Sequence, residues 1–241
     1  MAALAATIET EPESPLPIDI AVDRRRPVAD QVYDALKSAI VTVSLPPGAS
    51  ISENRMCRHF GVSRTPVRSA IVRLAEEGLI DVYPQQGSFV APIRFNEVRD
   101  CHFVRKHLEL AVLAEAAARW TPDMSREARA IVASHAQALA AGDIDHVFVE
   151  DERFHQAFFG FAGREGVWNT VLAAKARLGR FVRLFGKPER LPVVMEEHLA
   201  VIDALDQGDA GLAVERLSYH LDVVFHMLEQ LPDQYRPYLS E

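Results

Sequence analysis

Cysteine is scarce: Cys57 and Cys101 are the two in 241 residues. They supply neither a disulfide framework nor a CxxC metal pair. Both are expected to pack as small apolar side chains in a reducing cytoplasm. Long apolar runs are absent too. None approaches the roughly eighteen residues of a membrane helix. The opening stretch MAALAATIETEPESPLPIDIAVD lacks the basic start and sustained apolar core of a signal peptide. Its acids and prolines fit a disordered acidic tail over residues 1–23. A disulfide-held secreted scaffold and a helical membrane protein are thereby excluded, and the expected location is cytoplasmic and nucleoid-associated. What is present is 49% hydrophobic, enough for cores in two unequal domains.

Positive charge is in deficit, but unevenly. The net charge is -8, yet residues 24–93 hold nine Lys/Arg against six acids. Residues 1–23 hold five acids and no Lys or Arg, and residues 94–241 hold 17 Lys/Arg against 23 acids. An acidic chain therefore contains one mildly basic segment, which is compatible with a polyanion partner.

That segment has a readable order. Val32, Leu36, Ile40 and Val43 form one helical stripe, stopped by the breakers Pro46, Pro47 and Gly48. Ser52 precedes a short helix reaching about Phe60. Gly61 can end it in the left-handed cap. Ser63 can cap a third helix over about 64–77, with Pro66 in its first turn. LIDVYP and SFVAP, joined by QQG, then read as a hairpin. Two short helices across a glycine turn predict a helix-turn-helix whose second helix reads DNA. Arg64 and Arg68 share one face at its N-terminal end, where guanidinium groups fork onto guanine edges or phosphate. Ser63 and Thr65 can donate to phosphate beside the positive helix N-terminus. The hairpin is the expected wing, with Gly87 at its tip.

The stretch LPPGASISENRMCRHFGVSRTPVRSAIVRLAEEGLIDVYPQQGSFV resembles the winged helix-turn-helix of GntR-family bacterial transcription regulators. GVSRTPVR, EEGLI and QQGSFV carry the resemblance. It implies operator contacts from Arg64, Arg68 and Gly87. The family often has a further DNA-contacting arginine where this chain has Asn54, followed by Arg55. Arg55 is thus a candidate phosphate contact. Ser69 stands where the family commonly has an acid.

Residues 94–241 read as an all-α antiparallel bundle, so the fold class is mostly α. Six helices are predicted at about 96–119, 125–141, 143–161, 165–185, 189–207 and 209–231, with Asn96 as first cap. WTPD, AAGD, FAGREG, FGKPE and DQGD are the breaks. Asp151 and His155 lie four apart on one helix face. His198 and His220 flank the last helical hairpin at similar heights. One carboxylate and three imidazoles are a ligand set for a divalent transition metal, with open positions for water or a carboxylate. His59, His102, His107, His135, His146 and His226 do not join by spacing and are read as structural or solvent-facing.

Residues 96–231 resemble the FCD domain, the helical effector domain of the FadR branch of GntR regulators, in its shorter six-helix form. The resemblance implies metal ligation by Asp151, His155, His198 and His220. Zn2+ is the first expectation, and Ni2+ and Mn2+ fit the same donors. Arg105 and Glu109 match an R-x-x-x-E pattern on the first effector helix. Two readings of Arg105 stay open: it faces the ligand cavity, or it makes a surface salt bridge to Glu109. GREGVWN replaces the family's Gly-Asn-Pro, and one of Arg177, Arg180 and Arg183 is a further ligand candidate.

The expected function is a homodimeric, ligand-responsive regulator on operator DNA, a repressor released when a small carboxylate reaches the metal. The alternative is a metal-dependent enzyme using the Asp/His3 site. Against it, Glu150, Glu152 and Glu197 adjoin ligands in sequence but are turned away by about 100° per residue, leaving no placed general base.

Overall fold

The computed structural model describes residues 16–18, 21–229 and 238–240. The chain divides into two units, one running to Ala91 and the other from Pro92, with Val41–Val43 grouped with the second.

The first unit runs α1 Val28–Val41, β1 Ser50–Ile51, α2 Glu53–Phe60, α3 Arg64–Glu76, β2 Ile80–Tyr83 and β3 Gly87–Val90. Its strands form an antiparallel sheet in the order β1-β3-β2. Val32, Leu36 and Ile40 are fully buried as the stripe requires. Val43 leaves the stripe: α1 ends at Val41, and Val43 takes a left-handed turn conformation, φ 64°. Leu45 enters the core instead. Ser52 caps α2 by accepting from the Arg55 N–H at 3.3 Å. Gly61 closes it at φ 62°, a left-handed position that costs other residues about 1 kcal/mol.

Leu16 and Ile18 correct the expectation of a disordered tail. Both are buried in this unit's core. The Ile18 carbonyl lies 2.5 Å from His59 Nε2. Asp23 exchanges hydrogen bonds with the Gln31 side chain, both at 2.8 Å. Acids and prolines hid these anchors, because two apolar residues set no period. The tail expectation for residues 1–15, 19 and 20 lies outside the described residues.

The second unit holds β4 Ile93–Arg94, α4 Phe95–Ala117, α5 Pro122–Ala140, α6 Ile144–Phe161, α7 Glu165–Phe185, α8 Arg190–Asp206, α9 Ala210–Glu229 and β5 Leu239–Ser240, with β4 and β5 parallel. Three side-chain caps set where helices begin. Thr121 accepts from Met124 N–H, Asp143 from His146 N–H, and Asp209 from Leu212 N–H. Asn96 is not a cap, since α4 already starts at Phe95 with Arg94 in the cap position. Phe154, Phe158, Phe159, Leu113, Ile202 and Leu217 centre the core. Cys101 is buried and Cys57 half-buried, and neither is in a disulfide.

Candidate nucleic-acid interface and metal centre

Helix α3 buries Val67, Ala70, Ile71 and Leu74. That face fixes the opposite one, so Arg64, Thr65 and Arg68 are exposed, as is the cap residue Ser63. Ser63 makes no side-chain cap bond. The Arg68 Nε lies 3.2 Å from Glu53 of α2 with the arginine side chain 73% exposed. Such a pair contributes little in water and yields readily to phosphate. Arg55 is half-buried on α2, beside exposed Asn54. Arg73 is not part of this face. It binds Asp30 at 2.7 Å and lies 3.8 Å over the Tyr33 ring, tying α3 to α1. In the hairpin, Gln85 takes the apex with φ 64°. Gly87 opens β3 opposite Tyr83 at φ 114°, one step down from the tip expected of it.

In the second unit Asp151 and His155 project from α6, His198 from α8 and His220 from α9. One donor atom from each lies within 4.8 Å of every other. Asp151 Oδ1 is 3.7 Å from both His155 Nε2 and His198 Nε2. The Nε2 atoms of His155 and His220 are 3.3 Å apart. Two imidazoles have a carboxylate at the outer nitrogen: His220 Nδ1 is hydrogen-bonded to Glu197 Oε2 at 2.8 Å, and Glu109 Oε2 lies 2.7 Å from His155 Nδ1 as a close ion-pair contact without hydrogen-bond alignment. For His220 this is the outer arrangement that orients a metal-binding histidine and fixes its tautomer. His198 is fully buried, stacks on Phe154 at 3.8 Å between centroids, and among the described residues has no hydrogen-bond partner at either ring nitrogen. Unpartnered buried nitrogens are costly, and a cation on Nε2 would remove that cost at one of the two. The donor set therefore fits a divalent transition metal.

The charges around the centre are set by one another. Burial pushes the His198 imidazole well below its ordinary value, and His220 adds to this. Burial lowers His220 too, against the pull of Glu197. Neutral imidazoles keep the lone pairs that ligation needs. Burial opposes ionisation of Asp151, but Lys175 and His155 outweigh it and hold the carboxyl well below the usual range. Glu109 is likewise held low, with Arg105 and His155 overcoming burial. The Lys175 ammonium is depressed, first by burial and then by the Arg105 guanidinium.

Arg105 resolves the two readings left open. Its Nε pairs with Glu109 at 2.7 Å, but the pair is buried, and its Nη2 stands 2.9 Å from His155 Nε2. The salt bridge is thus what delivers Arg105 to the centre. Glu197 corrects another expectation. Turned from its neighbour His198, it reaches His220 on the next helix, with Arg190 behind it at 2.5 Å. One residue was missed. Lys175 stands 3.5 Å from Asp151 Oδ2. A single lysine in the small, apolar run VLAAKARL was the available signal. His135 is buried with its ring 6.0 Å from that of His198, but it is not among the four that converge, in keeping with its reading as structural. Among the three arginines of α7, Arg177 faces Glu97, Arg183 faces Asp145, and Arg180 is buried.

Known proteins share this architecture. Residues 28–90 match the model "Bacterial regulatory proteins, gntR family", and residues 100–223 match "FCD domain". An uncharacterized HTH-type transcriptional regulator from an unstable DNA locus of Streptomyces ambofaciens is 37% identical, over 83% of this chain and 84% of its own. The HTH-type transcriptional repressor RspR of Escherichia coli (strain K12) is 32% identical, over 93% and 99%. The solved structure of E. coli McbR/YncC superposes with a TM-score of 0.71 at 23% identity, covering 86% of this chain and 98% of that one.

Proposed function

Because the chain belongs to the GntR family of bacterial transcription regulators and carries an FCD domain, we propose that it is an operator-binding repressor released by a small carboxylate. Membership makes it a DNA-binding regulator rather than an enzyme, and the family models and relatives above are those of regulators. The Asp/His3 enzyme alternative has no support among them.

The observation that carries the effector reading is the convergence of Asp151, His155, His198 and His220 within 4.8 Å inside the FCD bundle. These four would hold a divalent ion, Zn2+ first and Ni2+ or Mn2+ after it. Bound there, the ion would supply Lewis-acid positions that a carboxylate can occupy. Glu197 would orient the His220 imidazole, Glu109 stands against His155, and Arg105 reaches the centre 2.9 Å from His155 Nε2. In the first unit, Arg64 and Arg68 would read bases or phosphates. Ser63, Thr65, Arg55 and Gly87 would position the module on the backbone. A homodimer would set two such modules on a two-fold operator. Effector binding shifts DNA affinity only by its differential affinity for the two arrangements, typically about 1–3 kcal/mol.

The test is a thermal-melt screen against small carboxylic acids, before and after metal stripping. Ligand that binds the folded state raises the melting point. A stabilising acid whose effect vanishes on stripping supports the reading. A metal-bearing protein that no carboxylate stabilises, or an effect that survives stripping, counts against it.

A further inference from the structure

The four ligand candidates stand inside a ring where each acid has its own base. Glu109 pairs with Arg105 at 2.7 Å, Asp151 with Lys175 at 3.5 Å, and Glu197 with Arg190 at 2.5 Å. The most exposed of the six, Arg190, keeps 25% of its side chain in water. Glu152 is the weakest of the charges acting on Lys175 and is only half-buried, where water screens it. These six therefore balance, three against three, and buried Glu150 on α6 is paired as well, with Arg153 at 2.7 Å. A divalent cation among neutral imidazoles adds two positive charges there. Buried charge without a counter-charge is costly. A monocarboxylate cancels half of it; a dianion cancels all.

The geometry also supplies cationic partners for a second negative group. Glu109 lies against His155 Nδ1, so Nε2 is the nitrogen left for a metal. Arg105 Nη2 now sits 2.9 Å from that same atom. A guanidinium N–H and a metal ion cannot share one lone pair. With the ion bound, Arg105 keeps Glu109 but loses His155, and the freed N–H is available to an anion. Lys175 comes to the centre from the neighbouring helix α7. Two buried cations held near each other are stabilised by an anion between them.

Resting on the metal-and-carboxylate reading above, we infer that the effector is a dicarboxylate. One carboxylate lies on the ion and the other between Arg105 and Lys175, and Lys175 sets the preference over monocarboxylates. Lys175 is thus a specificity-determining residue.

The experiment is calorimetric titration of full-length Zn2+-loaded protein with acetate, malonate and succinate. Bound metal per chain is measured by mass spectrometry, so affinities refer to loaded protein. One charge-assisted contact is worth about tenfold or more in affinity. A dicarboxylate should therefore bind at least about tenfold tighter than acetate. Lys175→Met should shrink that ratio about tenfold and Lys175→Arg should restore most of it, which separates the protein's preference from chelation by the ion. Equal affinities for acetate and both dicarboxylates, or no binding of any probe by loaded protein, would overturn the inference while leaving the metal in place. A ratio unmoved by Lys175→Met would overturn the role of Lys175. A chain that takes up no metal would overturn the functional reading and this inference with it. The wild-type comparison stands even if a variant fails to fold.

Discussion

Arg64 is exposed at the first turn of a helix whose other face is fully committed to the core. Arg64→Ala should therefore leave the fold intact and cost about 1–3 kcal/mol of operator affinity where the arginine reads a base. Titration of operator DNA at fixed salt checks this, and unchanged affinity would remove Arg64 from the interface. His198 sits at the opposite extreme, fully buried with both ring nitrogens lacking hydrogen-bond partners among the described residues. His198→Asn should lower metal affinity by at least about tenfold, the loss that even an outer partner typically costs. Full occupancy in the variant after dialysis against a weak chelator would exclude His198 as a ligand. At this scale legibility follows covalent distance. Asp151 and His155 announce themselves because four residues is one helical turn. Glu197 and Lys175 do not, because their partners lie on other helices, Glu197 against His220 and Lys175 against Asp151. No periodicity encodes a contact between helices.

Ser52 shows how much one element rests on its first residue. Helix α2 has eight residues, too short to persist without packing and caps. Ser52→Ala removes the bond to the Arg55 N–H and should cost about 1 kcal/mol. Denaturant unfolding monitored in the DNA-binding unit would register it, and an unchanged midpoint would show that the cap contributes nothing. Helices were the most readable elements, because glycine, proline and capping residues mark their ends chemically. The predicted 165–185 coincides with α7, and the other predicted ends in the bundle fall within a few residues of those observed, except the last, at 231, which lies outside the described residues. β1 escaped because Ser50–Ile51 is two residues long and exists only by pairing with β3. Val43 was misassigned because an apolar stripe carries no information about where the backbone turns.

Across the whole molecule, buried histidines make stability depend on pH in one direction. Burial lowers His102, His135, His198 and His220 in the folded chain. The unfolded chain protonates near pH 6.5. Below that value it binds more protons than the folded chain, so stability is lost as pH falls from about 6.5 toward the depressed folded values. Melting of metal-stripped protein between pH 8 and 5 should show a falling midpoint, and a flat profile would contradict it. Leu16 and Ile18 bear on how such a protein can be cut and recombined. They lie N-terminal to the residues that match the family model, yet they belong to the core of the DNA-binding unit. A chimaera joined at residue 24 would exchange part of that core along with the tail, and its folding would depend on whether the donor supplies two apolar side chains of similar size. In such swaps, inheritance of the DNA-binding unit reaches back at least to Leu16.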